Sequence, residues 1–214
     1  MKTSHMIYKV DNLDSAVAEY RNKGFEVEYG KLKNPINALI FFSEGPYIEL
    51  LDGTRMPSFF KKLFRLLGKG KMVDRLDYWD AHPGGWCALA LETYASTPEK
   101  EIAILKKHNI GYFHTKNRRD DTKGRSLRFQ TVGPYELALP FFMTYFNLDP
   151  KPKNFIHPNG VKSIGHITFG TRKDLFPIMA ELCNDDILEL CEGDGIQRVE
   201  FNYEHGKDTK PLEM

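Results

Sequence analysis

The sequence lacks the features that mark several large classes of protein. Its 30 Lys and Arg residues face 29 Asp and Glu, and the formal net charge of +1 provides no basic field to hold nucleic acid. No apolar run approaches the roughly 18 residues of a membrane-spanning helix. The 3 cysteines form no Cys-x-x-Cys pair and leave one thiol unpaired, which favours a reducing compartment. We therefore expect a cytoplasmic protein with no nucleic-acid or membrane partner.

What the sequence does have is a loose internal repeat within 214 residues of ordinary globular composition, 41% apolar and 28% charged. The first unit reads as a strand, a helix and three further strands. The helix is predicted to begin after an Asp-Asn cap and to end at Gly24. The strands are predicted at residues 6–10, 25–29, 38–43 and 47–51. These elements make one β-α-β-β-β module.

A similar order of elements recurs from Gly85 to Tyr145, and a shorter version follows Gly160. The predicted fold class is therefore α+β, with paired βαβββ modules forming a barrel-like sheet, plus a truncated third βαββ unit. We predict a two-module domain over 1–150, with modules at 1–54 and 85–147, and a linker and truncated unit over 151–214. The third unit has an open strand edge, which predicts pairing with its own barrel or with a second subunit in a homodimer.

Residues 55–84 interrupt the repeat with a predicted helical insertion. The segment from Ser58 to Leu67 places apolar residues on one face and basic residues on the other. We interpret it as a connecting helix packed across the barrel, with a lid or a membrane-surface helix as the alternatives. Lys69-Gly-Lys and His82-Pro-Gly-Gly are predicted to be loops.

The chain resembles the glyoxalase-like branch of the vicinal oxygen chelate superfamily, which includes glyoxalases, bleomycin-resistance proteins and dioxygenases. The resemblance covers about residues 4–172. It rests on four features that follow one another in the family's order. The first is the His5 strand with Asp11-Asn-Leu-Asp-Ser-Ala, and the second is Asn37-Ala-Leu with Tyr47-Ile-Glu-Leu-Leu. The third is Leu139-Pro-Phe-Phe, and the fourth is His157-Pro-Asn-Gly. One fold in this superfamily hosts lyases, dioxygenases, epimerases and metal-free binding proteins, so the resemblance implies the fold more than the activity.

The resemblance also implies a site inside the cup between the modules. In metal-using relatives, a first-strand histidine and a fourth-strand carboxylate bind a divalent metal, positions held here by His5 and Glu49. Imidazole nitrogen and carboxylate oxygen suit Zn, Ni, Mn or Fe. In the second module the aligned positions are Trp86 and an apolar residue, Leu137, Ala138 or Phe141. Two protein ligands are fewer than the usual three, so either His157 completes the site or no metal is bound.

Further residues are predicted to contact a ligand in the cup. Arg128 and Gln130 share a strand face, and Arg128 suits a carboxylate or phosphate. Trp86 and Phe141 are candidates for an aromatic wall, and Asn37 for a hydrogen bond in the pocket. Glu49, if it points inward, is a metal ligand or a general base, with His5 as its catalytic partner.

Two functions follow as hypotheses. The first is a glyoxalase-like protein that acts on or binds a small oxygenated metabolite, with a lyase, isomerase or dioxygenase-like reaction if a divalent metal is bound. The second is a metal-free protein that sequesters an aromatic or apolar compound, as drug-resistance relatives do.

Overall fold

A computed structural model describes residues 1–204 in full and the backbone of residues 206–211. The first module comprises β1 (Lys2–Lys9), α1 (Leu13–Asn22), β2 (Glu28–Tyr29), β3 (Asn37–Ile40) and β4 (Tyr47–Leu51). The insertion forms α2 (Ser58–Leu66) and α3 (Gly70–Ala81). The second module comprises β5 (Gly85–Thr93), α4 (Glu99–Lys107), β6 (Tyr112–Asp120), β7 (Ser126–Pro134) and β8 (Phe141–Thr144). The third unit comprises β9 (Val161–Thr171), a 3-10 turn (Lys173–Leu175), α5 (Phe176–Leu182), β10 (Leu188–Glu192), β11 (Gly195–Tyr203) and β12 (Gly206–Pro211).

The two modules share one eight-stranded sheet in the order β2-β3-β4-β1-β5-β8-β7-β6. Each module pairs its first and last strands in parallel, β1 with β4 and β5 with β8, and the modules join where β1 and β5 run antiparallel. The β6–β7 hairpin then reaches the opposite edge, where Thr122 Oγ1 donates to the Glu28 carboxylate and Arg119 Nη1 donates to the Gly30 carbonyl at 3.4 Å. The predicted paired modules and barrel-like sheet are confirmed.

The sheet has one face covered by helices and one that lines the cup. Strand alternation sends Met6, Leu89 and Phe142 to the helix-bearing face, where they form the main core with side chains of α1 and α4. The helix α1 begins as predicted, because Asn12 Oδ1 accepts a hydrogen bond from the Ser15 amide at 2.9 Å. Burial on this face therefore fixes which side chains point the other way, into the cup.

The third unit packs on the helix-bearing face and adds to the same core. Its four strands lie in the order β10-β9-β11-β12, and Ile167, Val199 and Phe201 belong to the core that contains Met6. The N-terminal ammonium donates to the Leu182 carbonyl at 2.7 Å, which ties β1 to the end of α5. The division at residues 150/151 and the homodimer stay predictions, and the two sides of that boundary share one core.

The insertion differs from its prediction in two respects. Residues 69–71 were expected to be a loop, but α3 begins at Gly70. In α3, the Arg75 side chain is buried and donates to three backbone carbonyls, those of Pro134, Glu136 and Leu139, at 2.7 to 3.2 Å. The helix α2 does not pack across the barrel, since it has no buried residue and packs against α3. Among the described residues, no helix is both long and apolar enough to cross a membrane.

Candidate functional site

The site is centred on His5 and Glu49, which strand pairing brings to the cup face of neighbouring strands. His5 of β1 pairs with Tyr47 of β4, and Ile7 pairs with Glu49. The His5 Nε2 atom lies 3.5 Å from Glu49 Oε2. The His5 ring stacks on Tyr47 with centroids 4.6 Å apart and meets Phe141 edge-on at 5.4 Å. The structure thus brings together four of the predicted residues, His5, Glu49, Phe141 and, through a hydrogen bond to Glu49, Asn37.

Glu49 is a carboxylate held in a mostly apolar setting. Its Oε1 accepts a hydrogen bond from Asn37 Nδ2 at 2.7 Å, so Asn37 orients the carboxylate from β3. Only 17% of the Glu49 side chain is exposed. Burial raises the pKa of Glu49, while the Asn37 hydrogen bond and the charge of Arg119 partly offset that rise. A carboxyl group whose pKa is raised at a cup surface is better suited to taking up and returning a proton than an exposed one.

His5 is electrically neutral. Burial lowers its pKa to about 3, and the positive charges of Arg119 and Lys151 act in the same direction. Arg119 lies on β6, with its guanidinium 5.5 Å from the centre of the Phe146 ring. It also lines a small cavity with Leu39, Phe41 and Leu127 between the two edges of the curled sheet. The His5–Glu49 contact is therefore a neutral imidazole beside a carboxyl group, with cationic charge near both.

A β-bulge at Ser4 adds a second buried polar contact to His5. Pairing of β1 with β5 passes from Thr3–Leu91 to His5–Ala90, so Ser4 is the extra residue. Its Oγ lies 3.0 Å from His5 Nδ1, in a fully buried position. Bulges re-aim side chains beside functional sites, and this one lets two consecutive residues contribute to the cup.

Glu92 lies on β5, near Ser4 of the neighbouring strand β1, and was not predicted from the sequence. It is 2% exposed, and Tyr94 Oη donates to its Oε1 at 3.1 Å. Burial raises the pKa of Glu92, whereas the Lys151 charge and the nearby Ser4 hydroxyl favour its charged form. The signal was available, because Glu92 ends an otherwise apolar strand and a buried carboxylate needs partners.

Two residues predicted for the pocket lie on the other face of β7. Arg128 and Gln130 lie on the same face of β7 as Val132, since the three residues are spaced by two, and Val132 is in the core on the helix-bearing side. Gln130 Oε1 lies 2.8 Å from His114 Nε2, and Gln130 Nε2 donates to the Ser96 carbonyl at 3.0 Å. The cation near the site is instead Arg119 on β6, which the sequence pattern did not single out.

Trp86 is also placed away from His5. A second bulge, at Cys87, lies between the pairs Ile7–Ala88 and Tyr8–Trp86, and it turns Trp86 to the helix-bearing face, where it meets Tyr8 edge-on at 5.0 Å. The residue of β5 that pairs with His5 is Ala90. Ala90 is also the counterpart of His5 within the second module, since it pairs with the first residue of β8, Phe141, as His5 pairs with the first residue of β4, Tyr47. The alignment of Trp86 with His5 was therefore wrong, because a bulge leaves no mark in a local sequence pattern.

His157 lies on the opposite side of the sheet from the cup. It is 2% exposed and packs among the rings of Phe25, Phe42 and Phe155 at 4.9 to 5.1 Å. Its Nδ1 accepts a hydrogen bond from the Glu26 amide at 3.0 Å, and burial lowers its pKa to about 4. The structure contradicts the prediction that His157 completes a metal site, since it stabilises the contact between the first module and the third unit.

The residues around His5 do not fit a three-ligand divalent metal site. His5 and Glu49 supply two donors, and within the described part of the chain no three His, Cys, Asp or Glu side chains are grouped to hold a metal ion. The charges of Arg119 and Lys151 reach His5, and positive charge disfavours a cation. The same charges favour an anion.

Comparison with known proteins identifies what the chain is similar to. A family model described as a glyoxalase-like domain matches residues 4–182. A hypothetical protein from Staphylococcus aureus has a similar structure, with a TM-score of 0.67 and 18% identity over 96% of this chain and 92% of that one. No curated protein matches.

Two smaller proteins resemble part of the chain. A variant of Streptomyces coelicolor methylmalonyl-CoA epimerase, in complex with 2-nitronate-propionyl-CoA, has a TM-score of 0.42 and 17% identity, covering 67% of this chain and 95% of that one. The Mycobacterium tuberculosis methylmalonyl-CoA epimerase has a TM-score of 0.41 and 14% identity, covering 70% and 89%. At such identities and TM-scores these likenesses carry no conclusion about this chain.

Proposed function

This chain belongs to the glyoxalase-like domain family, and we propose that it binds a small oxygenated anion in its cup and moves a proton with Glu49. The observation that carries the proposal is the setting of Glu49. Its carboxylate is mostly buried, is oriented by Asn37 at 2.7 Å and lies 3.5 Å from the neutral imidazole of His5. Such a group can act as a general base toward a C–H bond next to a carbonyl.

The proposed step is a proton transfer without a metal. The Glu49 carboxylate removes the proton from carbon, and the electron pair of the broken C–H bond moves to the carbonyl oxygen. The guanidinium of Arg119, whose charge acts on both Glu49 and His5, stabilises the resulting oxyanion. Return of the proton from Glu49 to carbon completes the step.

His5 serves in this proposal as a neutral hydrogen-bonding partner whose tautomer is set by Ser4 and Glu92. Glu92 Oε2 is buried with no hydrogen-bond partner at normal geometry in the described residues, so it attracts the Ser4 hydroxyl proton. Ser4 Oγ then accepts from Nδ1–H of His5 at 3.0 Å. Nε2 is left with its lone pair toward Glu49, where it accepts a hydrogen bond from the Glu49 carboxyl group once that group has taken the proton. Glu92 is thus a positioning residue rather than a catalytic one.

Sequestration of an aromatic or apolar compound is a second candidate, and the walls of the cup favour it. Leu39, Phe41 and Tyr47 form one apolar cluster, and Phe141 packs against Trp79 at 5.1 Å. Trp86 no longer supports this function, because it lies on the other face of the sheet. The two candidates differ in whether a bound molecule undergoes chemistry.

Hydrogen–deuterium exchange separates them. The protein is incubated in D2O with a panel of 2-oxo and 2-hydroxy carboxylates, and loss of the α-proton signal is followed by 1H NMR. We expect exchange of at least one compound, slowed by about 100-fold or more in Glu49→Gln. The matched control is Glu44→Gln, which changes an exposed glutamate in the β3–β4 turn and should exchange at the wild-type rate.

Two results would overturn the proton-transfer proposal. One is exchange that is equally fast in wild type and Glu49→Gln. The other is binding of a compound, seen as a rise in melting temperature that Arg119→Gln abolishes, with no exchange of any member of the panel. The second result would support sequestration.

A further inference from the structure

The helix α2 presents an apolar face that nothing in the described chain covers. Five of its apolar side chains, counting Leu67 at its end, are exposed by 38 to 85%: Phe59, Phe60, Leu63, Leu66 and Leu67. The sequence spacing of 59, 63 and 66, with 60 and 67, puts them on one side of the helix. These five are nearly half of the exposed large apolar residues that the structure describes. A concentration of this kind marks an interaction surface rather than scattered surface residues.

The opposite side of α2 is anchored, which fixes the direction of the apolar face. Lys61 Nζ donates to Asp77 and Asp80 of α3 at 2.7 Å. Arg65 donates to Asp74 and Asp77 at 2.6 and 2.7 Å. These ion pairs hold α2 against α3 through its polar side, so its apolar side is held outward.

The borders of the apolar face are basic. No acidic residue occurs in α2, and neither Lys62 nor Lys69 has an ion-pair partner within residues 1–204. Lys69 lies beside the helix, with its Nζ 5.6 Å from the centre of the Phe64 ring. The acids of α3 are bonded to Lys61 and Arg65, so the charge left at the edge of the apolar face is positive.

We propose that α2 docks on an anionic lipid surface, lying in its plane with the Phe and Leu side chains in the acyl boundary. Phe and Leu on one face and lysines at its borders are the pattern of an interfacial helix. The lysines would contact the lipid phosphates. A second copy of this chain is a poorer occupant, because two-fold pairing through this face would bring the same uncompensated lysines together.

Vesicle sedimentation with the full-length protein tests the proposal. The vesicles are phosphatidylcholine alone or phosphatidylcholine with about one-third phosphatidylglycerol, which gives the surface a negative potential. We expect binding to the anionic vesicles that falls by more than about tenfold in a Phe59→Ser/Leu66→Ser variant. Lys62→Glu/Lys69→Glu should lower the partition coefficient by at least about fivefold per lysine on anionic vesicles. The matched control is Leu32→Ser, which removes an apolar side chain that is 73% exposed on another surface.

The outcomes decide the proposal because all of these residues are exposed and their variants should keep the wild-type melting temperature. Binding that is lost in the two α2 variants, retained in Leu32→Ser and weakened by added salt supports it. If the protein does not sediment with anionic vesicles, the proposal is overturned. So does a dimer in light scattering that Phe59→Ser/Leu66→Ser converts to a monomer without any vesicle binding, which would make α2 a contact between copies of the chain.

Discussion

The burial of His5 as a neutral imidazole makes the stability of this protein depend on pH in a calculable way. In the unfolded chain histidine takes up a proton near pH 6.5, whereas burial beside Arg119 and Lys151 lowers the pKa of His5 in the folded protein to about 3. Between these values the unfolded state binds more protons than the folded state. The free energy of unfolding therefore falls as pH drops from 6.5 toward 3.

The size of the effect follows from the two pKa values. Proton linkage gives a loss of about 2 kcal/mol at pH 5, relative to pH 7.5, and a ceiling of about 5 kcal/mol below pH 3. Glu49 acts in the opposite direction, because burial raises its pKa and the folded state gains a proton more readily. His157, whose pKa is lowered to about 4 by burial, adds a loss of the same sign as that of His5.

Urea unfolding of wild type and His5→Asn at pH 7.5 and pH 5.0 isolates the contribution of His5. The Glu49 and His157 contributions occur in both proteins, so to first order they cancel in the comparison. We expect the wild type to lose about 2 kcal/mol more than His5→Asn between the two pH values. His114→Asn, which changes an exposed histidine, should behave as the wild type does. Equal losses in wild type and His5→Asn would refute the assignment of His5 as a buried neutral group.

Four further predictions follow from single contacts. Asn37→Ala should lower the free energy of unfolding by about 1–2 kcal/mol in urea, because it leaves the buried Glu49 carboxylate without its donor; an unchanged value would contradict the contact. Arg75→Ala should lower the free energy of unfolding by about 3 kcal/mol or more, because it leaves three buried backbone carbonyls without a donor, and Arg75→Lys should lower it by an intermediate amount. Equal melting temperatures for the two variants would argue against the forked hydrogen bonds. Gly170→Ala should lower the free energy of unfolding in urea by about 1–3 kcal/mol, since the new Cβ would lie 2.7 Å from the Asp194 amide nitrogen. A variant as stable as wild type would show that the two backbone segments are farther apart than this. Millimolar Zn²⁺, Ni²⁺ or Mn²⁺ should leave the melting temperature unchanged, because two donors hold a metal weakly; a rise that disappears in Glu49→Gln would contradict the donor count.

Much of the fold could be predicted because it is encoded in local patterns. The Asn12 cap, the alternation of β4 and the recurrence of the same element order all depend on neighbouring residues in the chain. The start of α3 was missed because Gly70 and Lys71 resemble a loop, and this helix is held by Arg75 and by ion pairs to α2. Those contacts join residues far apart in sequence, so no local pattern reports them.

The candidate site was predicted mainly in its first module, with Phe141 as the correctly placed residue of the second. The family resemblance implied that His5 and Glu49 share one site, and the structure has both on the cup face of neighbouring strands. Trp86 was misplaced by a bulge at Cys87, which reverses the faces on either side of it. Arg119 and Glu92 were missed because their roles depend on sheet curvature and on burial, which are tertiary properties.

The sequence by itself determined the repeated βαβββ modules, the strand faces within the first module and the amphipathic character of α2, because each depends on spacing along the chain. Only the tertiary structure decided which residues surround His5. The curl of the sheet brought Arg119 across the barrel, and the bulge at Ser4 gave His5 a second polar partner. Packing also sent His157 into the core beside the third unit. Pairing register and curvature set such distances, and both arise from contacts between residues far apart in the sequence.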